Sequence, residues 1–100
     1  MNEGNLRKAN LNLLVVFAVL MRERSITRSA KMLSMSQPGV SHSLKQLRTM
    51  FGDELFTRVS NGVTPTRWAE SLYEDLLPSL QIIEMTLDRG RSAMLARLSR

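Results

Sequence analysis

Apolar positions near the start of the chain recur at the spacing of an amphipathic helix. The positions on its predicted buried face are Leu13, Leu14, Phe17, Leu20 and Met21. A period of 3.6 residues places them on one side, so the pattern predicts a helix that Asn10 or Asn12 caps and that ends near Arg24. Residues 1–9 are mostly polar, and we expect them to be frayed.

Two shorter helices come next, separated by the turn signal Ser34-Met35-Ser36. Thr27 is the expected N-cap of the first and Ser36 of the second. The second opens with Gln37-Pro38, which is allowed because the N–H groups of a first turn have no helical partner. Gly52 is its expected end, since glycine tolerates a left-handed backbone. Its buried side is predicted at Val40, Leu44, Leu47 and Phe51.

The pattern then changes from helical to β-prone. Two short runs, Leu55–Val59 and Val63-Thr64, lie on either side of Ser60-Asn61-Gly62. Asn-Gly between β-prone runs is a strong hairpin signal. We therefore predict a small two-stranded wing, whose second strand Pro65 stops.

Thr66 is the expected N-cap of a long helix that ends at Gly90. Its apolar positions are spaced alternately four and three residues apart: Ala69, Tyr73, Leu76, Leu80, Ile83 and Leu87. This seam is typical of a helix packed along a partner helix, and it predicts dimerisation. The alternative is a seam packed on its own domain. Pro78 removes the hydrogen bond to the Glu74 carbonyl, so we expect a bend there.

Together these elements predict a mainly α fold. It is a winged helix-turn-helix, with three helices and a two-stranded β wing, followed by a long dimerisation linker helix. The helix-turn-helix consists of the two short helices and the turn between them.

Charge extends this picture from fold to partner. The 100 residues include 14 Lys and Arg against 9 Asp and Glu, for a net charge of +5. This excess favours a polyanionic partner, because neutralised phosphates release condensed counterions. No apolar run approaches the roughly 18 residues of a membrane span, and Leu13–Met21 lacks the cleavage site of a signal peptide.

Few residues are available for metal binding or catalysis. The chain has no Cys, and His42 is its single His. A typical zinc site and a set of nucleophile, base and orienting residue are therefore excluded. We expect no enzyme activity and no cofactor in this chain.

The helix after Ser36 begins with residues suited to DNA recognition. A helix that enters a major groove about 12 Å wide needs small or slender leading residues. They are Gln37, Pro38, Gly39, Ser41 and His42. Gln can bond bidentately to adenine, and Ser can bond to almost any base edge. The alternative is that Gln37 and Ser41 are ordinary surface residues.

The run from Ser25 to Ser41, with Ser-Gln-Pro at its centre, resembles the helix-turn-helix signature of LysR-type transcriptional regulators. The run Phe51–Phe56, Arg58 and Thr64-Pro65-Thr66 are similar to the segments downstream of that signature in the family. The resemblance implies a winged helix-turn-helix that dimerises through antiparallel linker helices. It also implies a bacterial transcription regulator that binds a pseudo-palindromic promoter site in a sequence-specific manner.

The resemblance also implies which residues contact DNA. Base readout falls on Gln37, Pro38, Ser41 and His42, and Ser36 lies near a phosphate. From charge and position we expect phosphate or backbone contacts from Arg28, Lys31, Lys45, Arg48 and Arg58. The family usually has Ala at the position of Gly39 and often Arg at that of His42, so this chain departs from the pattern there.

Most of the family carries a C-terminal effector-binding domain, which this sequence lacks. We therefore divide the chain into a winged helix-turn-helix at 1–65, a linker and dimerisation helix at 66–90, and a hinge or tail toward the absent domain at 91–100. The expected partners are double-stranded DNA and a second copy of the chain. A small-molecule effector would act only through the absent domain, and no membrane partner is expected.

The expected location is the cytoplasm, with the protein on the nucleoid when it is bound to DNA. The alternative function is a protein-interaction module, in which the winged helix is a scaffold and the 69–87 seam assembles a larger complex. Salt-sensitive binding to a duplex separates the two hypotheses.

Overall fold

The computed structural model describes residues 1–99, which form five helices and one two-stranded antiparallel sheet. The elements are α1 (Glu3–Ala9), α2 (Leu11–Glu23), α3 (Ile26–Leu33), α4 (Gln37–Phe51), β1 (Phe56–Val59), β2 (Gly62–Pro65) and α5 (Arg67–Leu98). The predicted class, a mainly α winged helix-turn-helix followed by a long helix, is confirmed.

One apolar core holds α2, α4, the wing and the start of α5 together. Phe17 of α2 is fully buried at its centre. The centroid of its ring lies 6.5 Å from that of Phe51, 5.9 Å from Phe56 and 6.4 Å from Tyr73. These distances are typical of favourable aromatic pairs. A single side chain of α2 therefore contacts α4, β1 and α5, which fixes how α4 is oriented relative to the wing.

Most of the predicted helix ends are confirmed. Asn10, Ser36 and Thr66 cap α2, α4 and α5, and each side chain accepts a backbone N–H at 3.0–3.1 Å. Arg24 and Gly52 follow the last residues of α2 and α4 in left-handed conformations, with φ of 56° and 61°. These ends were predictable because a cap depends on a few neighbouring residues.

The prediction that residues 1–9 are frayed is wrong, because residues 3–9 form α1. Asn2 caps this helix by accepting the N–H of Asn5 at 3.2 Å. Glu3 lies in its first turn, and Arg7 and Lys8 lie in its last turn, where each charge complements the helix dipole. No residue of α1 is buried, so the sequence contains no apolar stripe that would indicate this helix.

The N-cap of α3 is Ser25, so the prediction of Thr27 is wrong. The Ser25 hydroxyl accepts the N–H of Arg28 at 3.1 Å. Arg24, in its left-handed conformation, turns the chain just before Ser25. This turn begins α3 two residues earlier than predicted and places Thr27 inside its first turn.

The wing is fastened to the turn between α2 and α3. Val59 lies opposite Gly62, so Ser60 and Asn61 form the loop and the glycine belongs to β2. Gly62 has a φ of 147°, and a Cβ added to it would overlap the carbonyl oxygen of Arg24. The N–H of Val63 donates to the same oxygen at 3.1 Å. Only glycine permits this close approach of the wing to Arg24. Strand β2 ends at Pro65, as predicted.

Helix α5 continues to Leu98, so the prediction that it ends at Gly90 is wrong. A glycine in an exposed helix costs only about 1 kcal/mol relative to alanine, which is too little to stop a long helix. The helix also continues through Pro78, where the expected bend remains a prediction. The division of the chain at residues 90 and 91 does not coincide with a helix end, and it too remains a prediction.

The two ends of α5 have different surroundings. Ala69 is fully buried, and the half-buried Tyr73 and Leu76 pack against the core. Residues 81–98 are all exposed, including Ile83 and Leu87 of the seam. The first part of the seam therefore packs on its own domain. Of the helices within residues 1–99, none is both long and apolar enough to cross a membrane.

Candidate nucleic-acid interface

One face of α4 is exposed and carries short or polar side chains. Its members, which we call the α4 stripe, are Pro38, Ser41, His42, Lys45, Gln46 and Thr49. The opposite face, which includes Leu44 and Leu47, is buried in the core. The α4 stripe is therefore the surface that this helix offers to a partner. Gln46 and Thr49 were missed in the sequence, although they continue the helical spacing of Ser41 and His42.

The start of α4 lines a groove of about 600 Å³, which we call the first groove. Gln37, Pro38 and Ser41 lie on its α4 side, and Arg58 lies on its wing side. The start of α3, from Ser25 to Thr27, and the wing residues Ser60 to Val63 complete the lining. The structure thus brings together three of the four predicted base-reading residues and the predicted wing arginine.

The N-terminus of α4 opens at this groove. The Ser36 hydroxyl accepts the N–H of Gly39 at 3.0 Å, so the capping residue lies where the helix begins. An added Cβ at Gly39 would lie 3.0 Å from that hydroxyl oxygen. The alanine that is usual in the resembled family would therefore press on the cap here. Glycine leaves the Ser36 cap undisturbed.

The far end of the α4 stripe lines a different groove of about 590 Å³, which we call the second groove. His42, Lys45, Gln46 and Thr49 line it together with Lys8, Leu13 and Met50. His42 therefore shares the exposed face of α4 with Gln37 and Ser41 but lies in another groove. Its assignment to base readout remains a prediction, as does the phosphate contact of Lys45.

Arg48 does not belong to the α4 stripe. Its Nε donates to the carbonyl oxygen of Glu54 at 2.8 Å, and its Nη2 donates to that of Phe56 at 3.1 Å. The guanidinium ties α4 to the chain that leads into β1, and the phosphate contact expected of Arg48 remains a prediction. The sequence held a signal for this, because Arg48 follows the apolar Leu44 by four residues and therefore lies at the border of the buried side.

The other cations predicted to contact DNA differ in whether they already form hydrogen bonds or ion pairs within the domain. Arg28 donates to the carbonyl oxygen of Glu23, and its Nε lies 3.8 Å from a carboxylate oxygen of the same residue. Both ion pairs found among residues 1–99 involve Glu23. Exposed cations without an acidic partner in this part of the chain include Lys31, Lys45 and Arg58. These three have the most freedom to meet an anion, and Arg28 has less.

The Asp53 carboxylate connects the wing to α5. One of its oxygens accepts the N–H of Leu55 at 2.7 Å and the hydroxyl of Thr66 at 2.9 Å. The Thr66 hydroxyl in turn accepts the N–H of Ala69 at 3.1 Å. This network holds Leu55 in a left-handed conformation, with a φ of 66°, and fixes where both the wing and α5 begin.

The order of the elements, with an exposed α4 beside a wing, defines a winged helix-turn-helix module. The family profile described as "Bacterial regulatory helix-turn-helix protein, lysR family" matches residues 11–70, and the chain belongs to this family. Helix α1 precedes the matched region.

Similar proteins include the HTH-type transcriptional regulator LeuO of Escherichia coli (strain K12). The identity is 42% over 87 residues, which are 87% of this chain and 28% of LeuO. A crystal structure of a probable transcriptional regulator from Pseudomonas aeruginosa superposes with a TM-score of 0.79 and 38% identity, over 84% of this chain and 28% of that one. The chain thus spans less than a third of either relative.

A similar structure was solved with DNA. The DNA-binding domain of CbnR, crystallised as a DNA complex, superposes with a TM-score of 0.70 and 26% identity, over 82% of this chain and 94% of that domain. The likeness extends over most of both chains and includes the winged helix-turn-helix.

Proposed function

We propose that this chain is the DNA-binding part of a bacterial LysR-type transcription regulator. A dimer of it binds a pseudo-palindromic promoter site in a sequence-specific manner and so regulates transcription. One observation carries the proposal: the first groove brings Gln37, Pro38 and Ser41 to one exposed edge, with Arg58 of the wing opposite them. The DNA complex of the similar CbnR domain supports it.

In this proposal the start of α4 enters the major groove. Gln37 and Ser41 have the donors and acceptors to bond base edges, and Pro38 offers an apolar contact to a thymine methyl group. Ser36 and the free N–H groups of the helix start lie where a phosphate would approach. These contacts distinguish sequences at the base edges and fix the helix against the backbone.

The exposed cations supply attraction that does not depend on sequence. Lys31, Lys45 and Arg58 face solvent, so each can neutralise a phosphate and release counterions. Arg58 lies in the wing and would meet the backbone beside the groove that α4 enters. Arg28 must first loosen its contacts with Glu23, so we assign it a smaller share.

The second copy of the chain would bind along α5. Among the predicted dimerisation positions, Leu80, Ile83 and Leu87 lie beyond the part that packs on the core, whereas Ala69, Tyr73 and Leu76 are used inside the domain. We assign the dimer contact to the former group. Two-fold symmetry would then place two α4 helices in successive major grooves, about 34 Å apart.

The remaining parts of the proposal come from the family. A small-molecule effector would act through a domain outside this chain, and this chain would need no cofactor and catalyse no reaction. The place of action would be the cytoplasm, on the nucleoid. LeuO is named a transcriptional regulator, which agrees with a regulatory rather than an enzymatic role.

The test is a titration of the chain into labelled duplexes at two salt concentrations. One duplex carries a pseudo-palindrome of the T-N11-A type, which the family resemblance suggests, and the other carries the same bases in scrambled order. A site selected from random sequences can replace the pseudo-palindrome. We expect Gln37→Ala to weaken binding to the preferred site by about 1–3 kcal/mol and to change binding to the scrambled duplex little. Lys45→Ala should weaken both and reduce the salt slope by about one.

Gln81→Ala is the matched control, because Gln81 is exposed on α5 away from both grooves. It should bind like the unchanged chain. Equal weakening of both duplexes by Gln37→Ala would show that Gln37 does not read bases. Absence of binding to any duplex at low salt would exclude the proposal and favour the protein-interaction module.

A further inference from the structure

Helix α1 lies outside the matched family region, yet it contributes a cation to the second groove. Lys8, in the last turn of α1, lines this groove together with Lys45, Gln46 and Thr49 of the α4 stripe. The family profile begins at residue 11, so α1 is a feature of this chain that the family match does not explain.

The length of α4 indicates what the second groove would meet. An α-helix rises 1.5 Å per residue, so Thr49 lies about 12 Å along the axis from Ser41. The major groove is also about 12 Å wide. When the start of α4 reads bases, the part from Lys45 to Thr49 therefore reaches the edge of the groove, where the sugar-phosphate backbone runs.

The chemistry of the second groove fits that backbone. Its rim carries the cations Lys8 and Lys45 and the polar side chains Gln46 and Thr49, and its lining includes no acidic residue. Leu13 and Met50 are also among its lining residues. Cations and hydrogen-bond donors suit a phosphate. The surface is also continuous with the α4 stripe.

We propose that Lys8 and Lys45 hold one backbone phosphate of the bound duplex, so that α1 extends the DNA interface beyond the winged helix-turn-helix. This inference rests on the proposed function, because it assumes that the start of α4 lies in the major groove. The contact is to the backbone, so it adds affinity on every sequence and does not read bases.

The first test compares Lys8→Gln with Arg7→Gln. The control removes the same charge from the same turn of α1, but Arg7 does not line the second groove. For each bound chain, we expect Lys8→Gln to reduce the salt slope by about 0.9 and the affinity at about 0.1 M salt by roughly five- to tenfold, on preferred and scrambled duplexes alike. Arg7→Gln should leave the salt slope unchanged, and Lys8→Arg should retain it.

The second test locates the phosphate. Single uncharged methylphosphonates are placed in turn along the backbone of the preferred duplex. One position in each half-site should weaken binding by the unchanged chain, and should weaken the Lys8→Gln variant by a smaller factor, because only Lys45 still contacts that phosphate in the variant. The absence of such a position would overturn the inference.

Other outcomes separate this inference from the proposed function. If the unchanged chain binds duplexes and Lys8→Gln matches Arg7→Gln in salt slope, only the role of Lys8 is excluded. If the unchanged chain binds no duplex, both proposals fail. The thermal unfolding of all three variants should match that of the unchanged chain, because α1 has no buried residue. Loss of binding can then be assigned to the interface.

Discussion

The two ends of α5 carry the same apolar spacing in different surroundings. In the first part, Ala69 is fully buried, and Tyr73 packs its ring against Phe17. In the second part, Ile83 is 41% exposed and Leu87 is 54% exposed. The seam thus packs on the domain itself at one end and has no partner within residues 1–99 at the other.

This difference shows what an apolar seam predicts and what it does not. The spacing predicts that one side of the helix is apolar, but not whether the surface against it belongs to the same chain or to another. The sequence left both interpretations of the seam open. The packed part fits a seam that packs on its own domain, and the exposed part is available to a partner helix.

The largest expected effect is on the free energy of unfolding, when an aspartate is introduced into the packed part of α5 and, for comparison, into the exposed part. Ala69→Asp buries a carboxylate without a partner, and it should lower the free energy of unfolding by about 3–5 kcal/mol. Ala93→Asp makes the same change at an exposed position and should lower it by only about 0.7 kcal/mol, through helix propensity. Urea unfolding followed by circular dichroism measures both. Similar losses in the two variants would remove the distinction between the parts.

The next effect concerns the partner of the exposed part. The double variant Ile83→Asp with Leu87→Asp should weaken the proposed dimer by about 3 kcal/mol, roughly a hundredfold in dissociation constant. Analytical ultracentrifugation measures the shift to monomer. Gln81→Asp adds a charge to the same exposed stretch outside the seam and serves as the control. A double variant that stays dimeric would show that the partner binds elsewhere.

A smaller effect is expected at two side chains of similar exposure. Trp68 is 45% exposed and its ring centroid lies 5.5 Å from that of Phe51, so Trp68→Ala should lower the free energy of unfolding by about 1–2 kcal/mol. Leu87→Ala, in the exposed part, should not change it at concentrations where the chain is monomeric. Equal effects would mean that exposure alone, and not packing on the domain, decides stability along α5.

The smallest effect concerns the glycine in the exposed part. An added Cβ at Gly90 meets no atom within 4 Å, so Gly90→Ala should favour the helix by up to about 1 kcal/mol. Amide hydrogen exchange of residues 91–98 should slow by about fivefold, while exchange of the core amides stays unchanged. Slower exchange in the core would indicate that the exposed part stabilises the domain.

Much of the fold was predictable because its signals are local. The caps at Asn10, Ser36 and Thr66 and the end at Gly52 depend on side chains within a few residues of each helix end. The helix that carries Gln37 and Ser41 was therefore placed correctly, and so was the wing. Three of the predicted base-reading residues lie in the first groove for the same reason.

The errors occurred where a long-range contact or a small energy decides. The packing role of Arg48 was missed, because its partners are carbonyl groups six and eight residues further along, whereas its contact with DNA remains a prediction. Gly62 belongs to β2 rather than to the loop, because its place depends on the Arg24 carbonyl far away in the sequence. Gly90 was predicted to end α5, although a glycine within a helix costs too little free energy to stop a helix of this length.

The Asp53 carboxylate gives α5 the properties of a lever arm. Its hydrogen bonds with Leu55 and Thr66 hold the base of a 32-residue helix, which is about 48 Å long. A tilt of about 10° at this base would displace the far end by about 8 Å, since displacement grows with the length of the arm. In a dimer joined along α5, a small change at Asp53 would therefore become a large change in the separation of the two α4 helices.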